Sequence, residues 1–574
     1  MASVYSKKVN GRTYYYLREM GWVDGKPRMV SERYLGSAEV IAAAMDAQDA
    51  AAMPERTRHL GFGDVAAVWG MLTRLDVAGV VDEVVGARRA DAGASVGTFL
   101  ALAALNRVVA PCSKAAFADW WSGIAADRFT KIASSVLDHR TFWEAMRGVS
   151  LTELEEISHR LAVRMIEMFA LDVSSVALDM TNFATYIDSA NEKAPIAVRG
   201  KAKQKRFDLR LVGLGLVVTR DGGIPLTWHA YPGNKPDVTQ FATMIDQLGA
   251  RYAAVTAQTC GAATDPTGGT RMTVVFDAGQ NSVANFAHLH TARLHYVGSI
   301  PPSDCPDLLA VPAARRKVVD QARFEGLSAF ETRREVYEGD RRVILTHSPT
   351  LHSGQAYSFE HTTLAKVTQN LNELAATLAR GKTRRARAAV ETTIKKIISD
   401  PWATRVVTWE LAGDTPAAHR LAWAIDNDAR QLLEAEIFGK RVLVTDHDQW
   451  PVADVVAAYR SQSEAEFSFR QLKDPHVVSF APMHHWTDHN IRVHVFTCVL
   501  ALQIAHLMRR QAHQAGVHAS VRQLLDTLAG IQETILIYPS TGGRPKARRM
   551  TTEMTEDQHK LYDIFDLQRW APAT

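Results

Sequence analysis

Apolar and polar positions change rhythm several times along the chain. Over residues 2–36, alternating runs are separated by Asn10-Gly11 and Asp24-Gly25. These dipeptides favour two-residue hairpin turns because both can adopt positive φ. The pattern predicts a β-meander over 1–45. A helical domain follows over 46–172, rich in Ala, Leu and Val at helical spacing, as in LTELEEISHRLAVRMIEMF. From 173 the texture shifts. VSSVALDMTNF, LRLVGLGLVVTRDG and IPLTWHAYPGN read as successive strands, with a tight turn at Asp221-Gly222-Gly223. DVTQFATMIDQLGARY reads as a helix, with Asp237 and Gln240 at capping-box spacing. MTVVFDAG is a strand, NSVANFAHLHTARL a helix and HYVGSIP a fifth strand. Strands first in succession, then alternating with helices, predict a mixed α/β sheet over 173–309.

Residues 310–438 break that rhythm, and we expect an inserted domain there. It has a helical stretch at 354–399 interrupted at Gly381, and strand-like RREVYEGDRRVILTH and TRVVTWEL. KRVLVTD returns to the sheet, opening 439–512. Pro451 then starts one helix that continues through AYRSQSEAEFSFRQLKDP. The apolar VHVFTCVLALQIAHLM is broken by His494, Gln503 and His506, which predicts a buried helix and no membrane partner. A helical and basic tail closes the chain over 513–574. Its Gly/Pro-rich stretch STGGRPKARRM reads as a mobile arm.

Composition adds little to this picture. Of 574 residues, 47% are hydrophobic and 22% charged, enough for several cores. Lys+Arg 66 against Asp+Glu 62 leaves a formal charge of +4, so local clusters must carry any case for nucleic acid. The four cysteines form no C-x-x-C pair, which argues against a zinc or disulfide framework. No apolar leader opens the chain, and a cytoplasmic setting is expected.

Candidate chemistry rests on three carboxylates. At about 100° per residue, Tyr459, Glu466 and Lys473 fall on one helix stripe, joined by Arg470. Glu464 falls nearly opposite, four residues after Arg460, as in a surface ion pair. The stripe alone fits a solvated helix face as well as a phosphate site. Asp179 in VALDMTN and Asp277 in TVVFDAGQN each end an apolar run. A bare carboxylate at the end of a buried strand is costly unless paired or metal-bound. Each taken singly is equally a strand-end or turn aspartate. Together, two such aspartates and a helix glutamate suit Mg²⁺ or Mn²⁺. Two ions roughly 3.5–4 Å apart serve phosphoryl transfer.

Asp179, Asp277 and Glu466, in that order, resemble the DDE triad of insertion-sequence transposases. The resemblance is strongest to the branch marked by Y-x2-R-x3-E-x6-K. Tyr459, Glu466 and Lys473 match it, with Gln462 where arginine is expected. FRQLKDP, LDMT, FDAG and YPGN are also similar. The resemblance covers about 173–510, and the meander weakly. It implies a ribonuclease H-like core with a large insertion before the glutamate helix. It also implies a catalytic, metal-holding triad, phosphate contacts from Tyr459 and Lys473, and a homodimer on double-stranded DNA. The activity implied is cleavage and transfer of DNA strands at terminal inverted repeats. Arg470 or Arg460 would supply the cation missing at Gln462.

Two basic clusters are candidate DNA contacts, with a solvated loop or helix face as the alternative. One holds Arg199, Lys201, Lys203, Lys205, Arg206 and Arg210. The other, RGKTRRARAAVETTIKK, holds Arg384, Arg385 and Arg387. Trp228 is either a base-stacking side chain or a core tryptophan. His484, His485 and His489 lack regular metal-ligand spacing and read as a polar loop. A nuclease that cuts without joining, and a catalytically silent DNA-binding protein, stand as alternatives.

Overall fold

Asn10 and Gly11, at φ 53° and 82°, turn the chain between β1 (Ala2–Val9) and β2 (Arg12–Val23). β3 (Lys26–Gly36) completes an antiparallel sheet in the order β1-β2-β3, as the alternation predicts. The computed structural model describes residues 2–23, 25–86, 93–188, 190–200, 208–259, 272–539 and 547–573. Helix Ala38–Ala52 leads to β4 (Arg56–Gly61), a strand inside the segment expected to be helical.

Helices Gly63–Arg74, Val96–Val109, His139–Arg147 and Leu151–Phe169 pack around Asp488–Gln514. That last helix is long and apolar enough to cross a membrane, yet 94% of its apolar window is buried inside the protein. Three of its buried polar residues each reach a backbone carbonyl. His494 Nε2 lies 2.9 Å from Phe480 O, Gln503 Nε2 donates to Pro225 O at 2.8 Å, and His506 Nδ1 lies 2.7 Å from Gly223 O. A buried polar group is tolerated when so paired.

The central sheet begins with β5 (Ser175–Thr185), β6 (Arg210–Thr219) and β7 (Pro225–Pro232), joined antiparallel. β8 (Thr273–Phe276) runs parallel to β5, and β9 (His295–Ile300) parallel to β8. Gly213 of β6 sits against Tyr231, where a Cβ would run into the ring. Asp237 is not the helix cap expected. It accepts the Tyr231 hydroxyl at 2.6 Å, and the helix starts at Phe241.

The chain then adds β10 (Lys317–Val318), β11 (Ser328–Val336) and β12 (Gly339–His347). The hairpin β13 (Val407–Ala412) and β14 (Arg420–Ile425) stands apart, and β15 (Lys440–Thr445) returns to the sheet. The full order is β10-β11-β12-β15-β9-β8-β5-β6-β7. The piece that stands apart is therefore shorter than 310–438. β12 pairs with β15, and its Val343, Ile344 and Leu345 are buried in the main core. A separate core begins at Phe359 and ends at Phe438, with Leu371, Ile394 and Leu433 inside it.

Two further expectations change. The helix after Pro451 breaks at Ser461 into Val452–Arg460 and Gln462–Leu472. In the tail, β16 (Gln532–Ile537) lies between β4 and β17 (Ala547–Thr551). The last residues of the expected arm are thus a strand, while 540–546 lie outside the described residues. Glu533 links the tail to the helical region, alongside the buried Leu524, Leu528 and Leu561. Its fully buried carboxylate is held by Arg128 at 2.7 Å and Arg549 at 2.5 Å.

Candidate active site

Leu178 of β5 lies opposite Phe276 of β8 in a parallel ladder, so the next residues, Asp179 and Asp277, stand abreast. Asp277 is still extended, at φ −89° and ψ 165°. Strand alternation therefore turns both side chains to one face, with backbones about 4.8 Å apart. Asp277 Oδ1 accepts from Ser299 Oγ at 2.7 Å, Ala278 N at 2.8 Å and Tyr459 OH at 3.2 Å. Its Oδ2 takes no hydrogen bond among the described residues. Asp179 Oδ1 accepts from Met180 N at 2.7 Å.

Tyr459 is 7% exposed, and burial pushes its phenol above the ordinary value, so the hydroxyl stays a donor. The Arg441 guanidinium lies 5.0 Å from the centre of its ring. Tyr459, Arg441 and Arg460 border a cavity of about 780 Å³ that also reaches Trp402 of the separate core.

The Glu466 helix lies along β5. Gln462 Nε2 donates to Leu178 O at 2.9 Å, and Lys473 Nζ donates to Thr181 Oγ1 at 3.0 Å. Asp179 falls between these anchors and shares a strand face with Thr181. Glu466, one turn after Gln462, is exposed and makes no ion pair or hydrogen bond among the described residues. The ligand atoms of Asp179, Asp277 and Glu466 do not all lie within 4.8 Å of one another.

Gln462, at the arginine position of the motif, is 6% exposed and faces the sheet, away from the expected DNA side. Glu464 pairs with Arg509 at 3.4 Å, where Arg460 was expected; Arg460 lies over the Phe324 ring at 4.5 Å. Arg470 is exposed.

The other expected contacts are dispersed. Arg199 is exposed beside a cleft of about 600 Å³ that Arg210 also lines. Lys201, Lys203, Lys205 and Arg206 lie outside the described residues. Arg384 and Arg385 are exposed, and Arg387 pairs with Glu391 at 2.9 Å. Trp228 takes the core alternative: its Nε1 donates to Ser158 Oγ at 3.1 Å, and its half-buried ring faces Phe496. His485 is half-buried, and desolvation, then Lys114 and Arg107, push its imidazole down to about 3. His489 Nε2 lies 3.0 Å from Met146 O.

Sequence reasoning missed Ser299, Arg441 and Trp486. Ser299 reaches Asp277 from β9, a neighbouring strand, and no local motif marks it. Trp486 is 62% exposed on the loop before the long helix, with Lys193 Nζ 5.9 Å from its ring. A large aromatic between polar residues in HHWTDHN was the available signal.

No family model matches the chain, and no curated protein matches it. Among solved structures it is similar to a piggyBac transposase in a synaptic complex with hairpin DNA. The identity is 8%, the match covers 83% of this chain and 82% of that one, and the TM-score is 0.34. A likeness of that degree carries no argument about fold or activity.

Proposed function

We propose that this chain is a DDE-type DNA transposase that cuts the terminal inverted repeats of its own element and joins the ends to target DNA. The observation carrying the reading is the placement of Asp179 and Asp277 abreast on parallel strands, with the Glu466 helix anchored to both sides of Asp179. The order β7-β6-β5-β8-β9, antiparallel then parallel, supports a ribonuclease H-like core.

The residues fit a hard divalent ion. Asp277 Oδ2 takes no hydrogen bond among the described residues, Glu466 is exposed, and every donor is a carboxylate oxygen. Asp179, Asp277 and Glu466 would hold Mg²⁺ or Mn²⁺, which supplies activation of the attacking oxygen and stabilisation of the leaving one. Arg470 on the Glu466 helix, and Lys473 at its C-cap, hold backbone phosphates beside the scissile bond. Tyr459 fixes the Asp277 carboxylate. Arg441 and Arg460 carry DNA past the separate core, and Arg199, Arg384 and Arg385 add contacts that do not read sequence. Two copies bridge two ends.

The test incubates the full chain with end-labelled duplex spanning the ends of its element, with Mg²⁺. Nicked and joined products are expected. Asp277→Asn and Glu466→Gln abolish both yet retain the duplex in a gel shift, while Glu464→Gln still cuts. Full cleavage by Glu466→Gln overturns the triad. Cleavage that never yields joined product assigns a nuclease instead.

A further inference from the structure

The opposite end of the sheet carries a second polar cluster. β8 and β9 are parallel, so their first residues, Thr273 and His295, lie side by side. β15 is antiparallel to β9 and ends beside them, followed directly by Asp446 and His447. Asp277 follows the other end of β8, and Asp179 stands beside it in mid-β5. The two clusters are separated by the length of β8, which is four residues.

Asp446 Oδ2 lies 2.9 Å from His295 Nδ1, and its Oδ1 accepts Tyr296 N at 2.9 Å. His447 Nε2 lies 2.8 Å from Thr273 Oγ1. The His447 ring is stacked on Trp450 with centroids 3.6 Å apart, and lies 4.4 Å from the His295 ring. One ligand atom from each of His295, Asp446 and His447 lies within 4.8 Å of the other two, the one such group among the described residues.

We propose that His295, Asp446 and His447 form a binding site for a borderline divalent ion of the Zn²⁺ class. An ordinary ion pair accounts for His295 and Asp446 but not for His447. That ring is buried, fixed by a hydroxyl on one nitrogen and by stacking on its face, and its other nitrogen makes no hydrogen bond among the described residues. Two imidazoles and a carboxylate are a three-ligand zinc set with a fourth position left for water. Thr273 takes the role of the outer partner that orients a ligating histidine. Asp446 also lines a cavity of about 450 Å³, together with His290 and Arg293. Asp448 does not join, since its carboxylate pairs with Arg333 at 2.5 Å. Imidazole selects this site for Zn²⁺ over Mg²⁺, whereas an all-carboxylate site prefers Mg²⁺. The ion would fasten the end of β15, where the chain returns from its separate core, to the starts of β8 and β9.

The test titrates the purified, metal-stripped full chain with Co²⁺ and with Zn²⁺ in excess Mg²⁺. One equivalent of Co²⁺ is expected to give the visible band of a four-coordinate site, which Zn²⁺ bleaches. Asp446→Asn and His447→Gln lose the band. Thr273→Val keeps it with affinity weakened about ten- to a hundredfold. Asp277→Asn and Glu466→Gln keep it unchanged, which separates this site from the triad. If His447→Gln fails to fold, His295→Gln carries the same expectation, because its side chain is 28% exposed. No band in the parent chain, or a band that survives His295→Gln and Asp446→Asn, overturns the site.

Discussion

Gln462 donates to the Leu178 carbonyl at 2.9 Å, and that bond ties the helix of Glu466 to the strand of Asp179. β8 stops pairing with β5 at Phe276, so the amide takes over where the ladder ends. Gln462→Arg would restore the motif pattern at the cost of an unpaired charge in the sheet interface. We predict a loss of about 3–5 kcal/mol. A thermal melt with no drop would show that this side of the helix faces solvent.

Lys473 bridges to Thr181 on the strand face that Asp179 shares. Lys473→Ala should slow strand cleavage at saturating DNA while leaving the Mg²⁺ dependence in place, because a misplaced phosphate is expensive in rate. Single-turnover kinetics check this. A change confined to DNA affinity, with the cleavage rate intact, would place Lys473 in binding alone.

Trp486 and Trp228 should respond oppositely. Trp486 is 62% exposed, so Trp486→Ala should leave the melting temperature unchanged and weaken DNA binding by about 1–3 kcal/mol if it stacks on a base. Trp228→Ala removes a ring packed on Phe496 and should lower the melting temperature instead. Gel shifts and melts on both variants decide the matter, and equal binding by Trp486→Ala removes it from the interface.

Lys114 is buried, its Nζ makes no hydrogen bond among the described residues, and burial, then the nearby Arg107, push its ammonium down to about 7. The unfolded chain holds that proton up to about 10.4. Between those values the unfolded state binds more protons, so this group makes stability rise with pH there. Lys114→Met should therefore raise the melting temperature most at pH 6 and progressively less towards pH 10. At about 1.36 kcal/mol per unit the ceiling is about 5 kcal/mol. A pH-independent difference would mean that the ammonium is hydrated in the folded chain.

The sequence by itself determined the meander, the helical region, the strands of the central sheet and the buried character of Asp488–Gln514. Each depends on local periodicity and turn residues, which act over a few positions. It also marked Asp179 and Asp277, because a charge directly after an apolar run is visible without a fold. Only tertiary structure decided that β11 and β12 extend the main sheet, since strand partners such as Leu345 and Val442 lie far apart in the chain. The same holds for β4, a strand by virtue of pairing with β16. The break at Ser461 turns Gln462 inward, where helix periodicity alone had put it near the DNA side. Ser299 reaches Asp277, and His295 meets Asp446 and His447, through sheet register, which joins residues that no spacing rule connects.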